Sequence, residues 1–314
     1  MDKVFNSNVF HGHLGKGNVK DAMAYLAQFP EQEARHQQYK AVFEREEYPV
    51  FKEDEGLNEL LLIYRKYYRD VFYLQMDAAQ AEEAMRERFV RLLNLKSGDA
   101  SFGDIEAREI AQAFEKKGYH FLGGKTGGYW GPYIWKTTET KTYDVELPDG
   151  RQPYPVRFLE GFISRSWYDA ISFGEAGTGG WTDGDGIIHC VKAAYDLEDE
   201  SFTVSLLRHE AQHAMDLARY SRMSSEELEY RAKLVELIYS EKRNLLEQFA
   251  YEADRSKANN GHSLAASRIV EEFGKKLGRE EKPLCDIPIA RVQAVARELL
   301  ALSNREIKKK YAET

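Results

Sequence analysis

The chain has 314 residues, 43% of them hydrophobic and 31% charged, and its 44 Lys and Arg against 52 Asp and Glu leave a formal net charge of -8. That length buries a core without cross-links, and an aromatic share of 12% with charges of both signs argues against disorder. The acidic balance argues against a grip on nucleic-acid phosphates, and two cysteines, Cys190 and Cys285, exclude both a disulfide-framed scaffold and a metal site built from four thiolates.

The chain opens on MDKVFNSNVFHGHLGKG, which has no apolar signal core, and nowhere do about eighteen apolar residues run together. This predicts a cytoplasmic protein with no membrane partner, a processed secreted form being the alternative. His11 and His13 in HGH are a weak chelating pair in a terminal segment. From about Asn18 to Gly118 the text is helical: VKDAMAYLAQF, LNELLLIYRKYYRDVFYLQ and AAQAEEAMRERFVRLLNL each space apolar residues three and four apart. Within them YRKYYRDVFY interleaves basic and aromatic residues. In an acidic chain it reads as packed rings with Arg and Lys reaching solvent. Asp104 is placed to cap IEAREIAQAFEKKG, which Gly118 ends. An all-α N-terminal domain over 1–118 is the expectation.

From Tyr119 to about Asp199 the text changes to short runs of Thr, Tyr, Val and Ile between Gly and Pro, with a hairpin signal at Asp149-Gly150 and a further strand at GIIHCVKAAY. Alternation puts His189 and Cys190 of that strand on opposite faces, with Cys190 as a small buried residue. Helical text then resumes. FTVSLLRHEAQHAMDLARY predicts an amphipathic helix, and Ser224 to Glu227 a capping box that opens a long helix through ELEYRAKLVELIYSEKRNLLEQF. The basic end REIKKKY suits a helix C-terminus. The fold class is α+β, with a second domain over 119–314 divided into a sheet part, 119–200, and a helical part, 201–314.

The chemistry concentrates at HEAQH, residues 209–213. Two His four apart on a helix lie one turn above each other on one face, which is how two neutral imidazoles converge on a zinc ion. The Glu after the first His projects beside them, where it can take a proton from metal-bound water whose pKa is lowered toward ~7. An ordinary helix face carrying two imidazoles is the competing reading.

HEAQH, followed sixteen residues later by Glu229 in EYRAK, resembles the zincin metallopeptidases, specifically the gluzincin branch. The resemblance implies a zincin-like core of small sheet, active-site helix and ligand helix over roughly 140–270. It implies Zn2+ held by His209, His213 and Glu229, with Glu210 as general base and a peptide or protein as substrate. A metzincin would need His or Asp six residues after His213, where Arg219 stands. The branch's E-x-x-x-D pattern fails at Lys233, so Asp216, on the helical face of the two His, is the candidate carboxylate for a ligating imidazole, or else a solvated side chain. Glu226, Glu227 and Glu236 compete with Glu229 on the same helix. An oxyanion donor, which the branch takes from a His or Tyr beyond the third ligand, would be His262 or Tyr239.

By the same resemblance the strand before the active helix would be an edge strand that pairs with substrate. GGKTGG at 123–128 lacks the register of a phosphate loop, and TDGDG at 182–186 lacks the ligands of a calcium loop at Ile187 and Ala194. The function expected is a zinc metallopeptidase. Alternatives are a small-molecule amidase and a non-catalytic zinc-bearing scaffold, and nothing in the text fixes an oligomeric state.

Overall fold

The computed structural model describes residues 4–96, 100–182, 185–256, 260–277 and 286–311; Cys285, and the Asp183 from which a calcium loop would be counted, lie outside them. In chain order the helices α1 (Ser7–Gly15), α2 (Val19–Leu26), α3 (Glu33–Tyr39), α4 (Glu55–Tyr68), α5 (Ala78–Leu92), α6 (Phe102–Ile105) and α7 (Ala111–Glu115) come first. Strands β1 (His120–Leu122), β2 (Lys125–Thr126), β3 (Tyr129–Trp130), β4 (Tyr133–Trp135), β5 (Thr137–Leu147), β6 (Gly150–Glu160) and β7 (Ser164–Arg165) follow, then α8 (Ser166–Ile171), β8 (Gly180–Thr182) and β9 (Ile188–Val191). The chain continues through α9 (Glu200–Thr203), α10 (Leu207–Arg219), α11 (Ser225–Tyr239), α12 (Leu245–Glu252), α13 (Gly261–Leu277) and α14 (Ile289–Tyr311). The class is mixed α+β with small sheets, and among the described residues no helix is long and apolar enough to cross a membrane.

Two compact units divide the chain: Met1–Thr137 with Glu160–Thr178, and Thr138–Leu159 with Gly179–Thr314. The change of texture near Gly118 does mark the passage from helix to strand, but the units do not part there. In the first unit α1 to α7 share a core with the strand order β1-β4-β7, the β2-β3 hairpin and α8, so this unit is helical with small sheets, not all-α. Phe10, Tyr64, Phe72, Phe89, Phe102 and Trp167 fill that core, with Tyr64 and Phe72 coming from YRKYYRDVFY. Helix α6 is capped one turn earlier than expected: Ser101 Oγ accepts from Asp104 N, so Asp104 sits in the first turn and Ser101 is the cap. GGKTGG is spent on β2 and the turn into β3.

In the second unit the sheet runs β5-β6-β9-β8, with β9 parallel to β6 and antiparallel to β8. The β5–β6 connection turns at Asp149 and Gly150, where Gly150 has φ +133. Strand β9 is interior, and all four of its residues are buried, so the outer strand at this end is β8 instead. Cys190 packs in the core beside Phe158, and burial pushes its thiol up to about 12. His189 stacks on Trp181 at 5.0 Å.

Two helices are shorter than the periodicity predicts. The run from Phe202 to Tyr220 breaks after Thr203 and resumes at Leu207, and the run from Glu227 to Phe249 breaks at Ser240. The second break meets a carboxylate from the start of α9: Ser240 Oγ donates to Glu200 Oε2 at 2.7 Å and the Glu241 amide to Oε1 at 2.9 Å. A polar tertiary contact thus overrides continuous apolar spacing.

Candidate metal centre

Helix α10 presents His209 and His213 from one face, one turn apart, with ring centroids 4.6 Å apart and planes nearly perpendicular. Helix α11 begins with the capping box expected at Ser224, whose Oγ accepts from Glu227 N while the Glu227 carboxylate accepts from Ser224 N. The box fixes the first turn and so the height of Glu229. Its Oε2 lies 3.3 Å from His209 Nε2 and its Oε1 3.5 Å from His213 Nε2, with the three side chains only 8%, 10% and 12% exposed. The three groups offer ligand atoms within 4.8 Å of one another.

The donor set passes a test of fit. Two imidazole nitrogens and a carboxylate oxygen are borderline ligands suited to zinc. A tetrahedral ion with bonds of about 2.0–2.1 Å holds its ligand atoms roughly 3.3–3.4 Å apart, and each Glu229 oxygen lies near that distance from one imidazole, Oε2 at 3.3 Å from His209 Nε2 and Oε1 at 3.5 Å from His213 Nε2. His213 Nδ1 is buried with no hydrogen-bond partner among the described residues, so its imidazole is not committed to a protein hydrogen-bond network through that atom.

Electrostatics follow from the packing. Burial alone would drive His209 neutral, but Glu229 and Glu236 on either side outweigh it and raise its pKa to about 10. Burial likewise opposes the charge on Glu229, and His209, His213 and His262 overcome this, holding its carboxyl far below the usual carboxylate range.

The remaining expected residues separate. Glu210 follows His209 on α10 and is half-buried. His262 arrives from the first turn of α13, not from a loop, with Nδ1 2.9 Å from Glu229 Oε2 and its ring stacked 6.3 Å from that of His209. Gly261 permits this, because a Cβ there would fall 2.1 Å from Ser225 Oγ at the start of α11. Tyr239 is not brought to the cluster. Ten residues along α11 from Glu229, about 15 Å down the axis, its ring takes the Arg208 guanidinium at 4.5 Å.

Asp216 is not the carboxylate beside a ligating imidazole. It is fully buried and bound twice by Arg231, through Nε at 2.7 Å and Nη2 at 2.9 Å. Two turns beyond His209, it shares the face but not the height. The partner of His209 is Glu236, whose Oε1 lies 2.7 Å from Nδ1, and it stands seven residues after Glu229, two turns along the same face. Lys233, in the place of the expected Asp, is buried and paired with Glu252 at 2.6 Å. Sequence spacing offered Glu236 only as a rival ligand; its role depends on how α11 packs across α10. Tyr195 went unsuspected. Burial first, then the charges of Cys190, Glu210 and Glu236, raise its phenol to about 12, which places it in the field of the general-base candidate.

Compared with family models, curated proteins and solved structures, the chain matches none of them.

Proposed function

We propose that this chain is a zinc-dependent hydrolase, a gluzincin-type metallopeptidase acting on peptide or protein substrates. One observation carries the reading: the convergence of His209, His213 and Glu229 at separations suited to one tetrahedral ion. Further support comes from Glu236 behind His209 and from the order of sheet, HExxH helix and ligand helix along the chain. Zinc held by these three side chains would supply a Lewis acid that acidifies a water and polarises a scissile carbonyl.

The protein's own groups have separable tasks. Glu236 accepts from His209 Nδ1, which fixes the tautomer and leaves Nε2 toward Glu229. Glu210 takes a proton from the attacking water and hands it to the leaving nitrogen. His262, with a side chain 54% exposed, stands on the open side of the cluster and can donate to an oxygen on which charge develops. The outer strand β8, paired with β9 and packed on α10, is the element beside which an extended substrate can lie.

The experiment is metal analysis of the purified full chain and of His213→Ala, joined to hydrolysis of a peptide library by Glu210→Gln. The expected outcome is zinc in the wild type, zinc lost from His213→Ala, and zinc kept but turnover lost by at least about a hundredfold in Glu210→Gln. Zinc absent from wild type overturns the metal reading. Zinc present with no cleavage by wild type leaves the scaffold reading, and cleavage confined to small amides leaves the amidase.

A further inference from the structure

The first unit holds a half-open cavity of about 370 Å³ for which the metal centre has no use. Its wall is formed by the π-helical turn Lys40–Glu44 that continues α3, by α4, and by the segment from Ile163 through α8 to Gly174. The volume falls within the range of small-molecule sites. Most of the lining is apolar, with Phe43, Leu61, Ile171 and Phe173 prominent.

Polar groups are the minority of the lining. The hydroxyls of Tyr48 and Tyr68 are buried and have no hydrogen-bond partner among the described residues, and Tyr68 as a whole is only 4% exposed. Tyr64 also lines the cavity, but its hydroxyl is already given to Glu106. Among the charged groups, Asp169 is neutralised by Arg165, 2.5 Å away, which leaves Arg65. Its guanidinium donates to the carbonyl of Pro49, and no carboxylate among the described residues is in ion-pair range of it. Burial pulls its pKa down. A neighbouring cavity of about 290 Å³ shares Tyr48, Pro49 and Arg65 and adds Lys66; its one carboxylate, Glu46, is taken by Arg69 at 3.5 Å.

We propose that this cavity binds a small organic monoanion, an aromatic or aliphatic body bearing one carboxylate, with Arg65 as the anchor and the Tyr68 hydroxyl completing the head-group contacts. A guanidinium selects carboxylate by charge and paired donors, and an apolar wall selects the body. Neutral or cationic compounds of the same shape leave the guanidinium uncompensated and bind less well. The site lies wholly within the first unit, independent of the metal-site reading.

The test uses the full chain and 3-phenylpropionate as probe, against its primary amide and 3-phenylpropylamine, by calorimetry and ligand-observed NMR. The carboxylate is expected to bind at least about tenfold more tightly than the amide, as a charge-assisted hydrogen bond allows, with the amine weaker still and affinity falling with salt. Arg65→Met is expected to remove the preference for carboxylate, while Arg65→Lys keeps it at lower affinity. Tyr68→Phe keeps the ring and weakens binding several-fold without lowering the melting temperature. If Arg65→Met does not fold, the acid-to-amide ratio on wild type and Tyr68→Phe still decide. Equal binding of acid and amide, no binding of any probe at millimolar concentration, or carboxylate preference surviving in Arg65→Met overturns the proposal.

Discussion

The two units differ in how they bury carboxylates. In the second, charges are buried in partnered sets: His209 between Glu229 and Glu236, Asp216 with Arg231, Lys233 with Glu252. In the first, an aromatic core buries phenols and two carboxylates: Asp70, paired with Arg88 at 2.8 Å, and Glu106, which accepts from Tyr64 and from the Gly124 amide with no cation beside it, so burial raises its pKa to about 7. Paired burial holds charges at fixed positions, which suits a site that must present ligands. Unpaired burial pushes a group toward neutrality instead.

The sharpest way to break this contrast is to unpair a charge in the second unit. Arg231→Met leaves the Asp216 carboxylate buried alone and also strips Asn304 of its 2.7 Å contact, so chemical denaturation should show a loss of about 3–5 kcal/mol. The double variant Asp216→Leu/Arg231→Met should recover much of it, because removing both charges removes the penalty.

In the first unit the sign reverses. Because the folded pKa of Glu106 is raised to about 7 from 4.5, the native state holds its proton longer than the unfolded chain does. Its contribution to stability therefore falls as pH rises from about 4.5 to about 7 and is level above. Glu106→Gln removes that slope and should gain up to about 3 kcal/mol at pH 8. The amide can donate to Tyr64 and accept from Gly124, as the protonated acid does. A variant less stable than wild type at pH 8 would show that the carboxylate is charged and satisfied.

A smaller effect is expected at Glu236→Gln, which keeps the shape and loses the charge behind His209. Zinc affinity should drop about 10–100-fold in a chelator competition, with Asp216→Asn leaving it within about threefold. Equal effects from the two would restore Asp216 to the role that sequence spacing offered it. The smallest is at Tyr239→Phe, where kcat for peptide cleavage should change by less than about twofold, since Tyr239 follows Glu229 by ten residues, about 15 Å of helix rise, and its ring packs on Arg208.

The parts of the molecule governed by local rules were legible in the sequence. HEAQH as a helix face, the capping box at Ser224, the turn at Asp149 and Gly150, and the buried Cys190 all follow from spacing, side-chain chemistry or backbone preference within a few residues. What escaped depends on distant segments meeting. Nothing near Ser240 announces that Glu200, forty residues back, ends α11 there. Asp216 stands two turns beyond His209 on its own helix, and which carboxylate of α11 reaches His209 is decided only by how that helix crosses α10. The boundary near Gly118 marks a change of element, but which strands return to the first helices is set by the β5–β6 excursion, which composition does not encode.

The last turn of α14 bears on when the site can exist. Lys310 pairs with Glu227 at 2.6 Å and the Tyr311 hydroxyl donates to the same carboxylate at 2.7 Å, so the far end of the chain clasps the residue that starts the ligand helix, two positions before Glu229. During synthesis, α10 and α11 leave the ribosome well before α14. Until α14 follows, the start of α11 has its capping box but lacks this clasp.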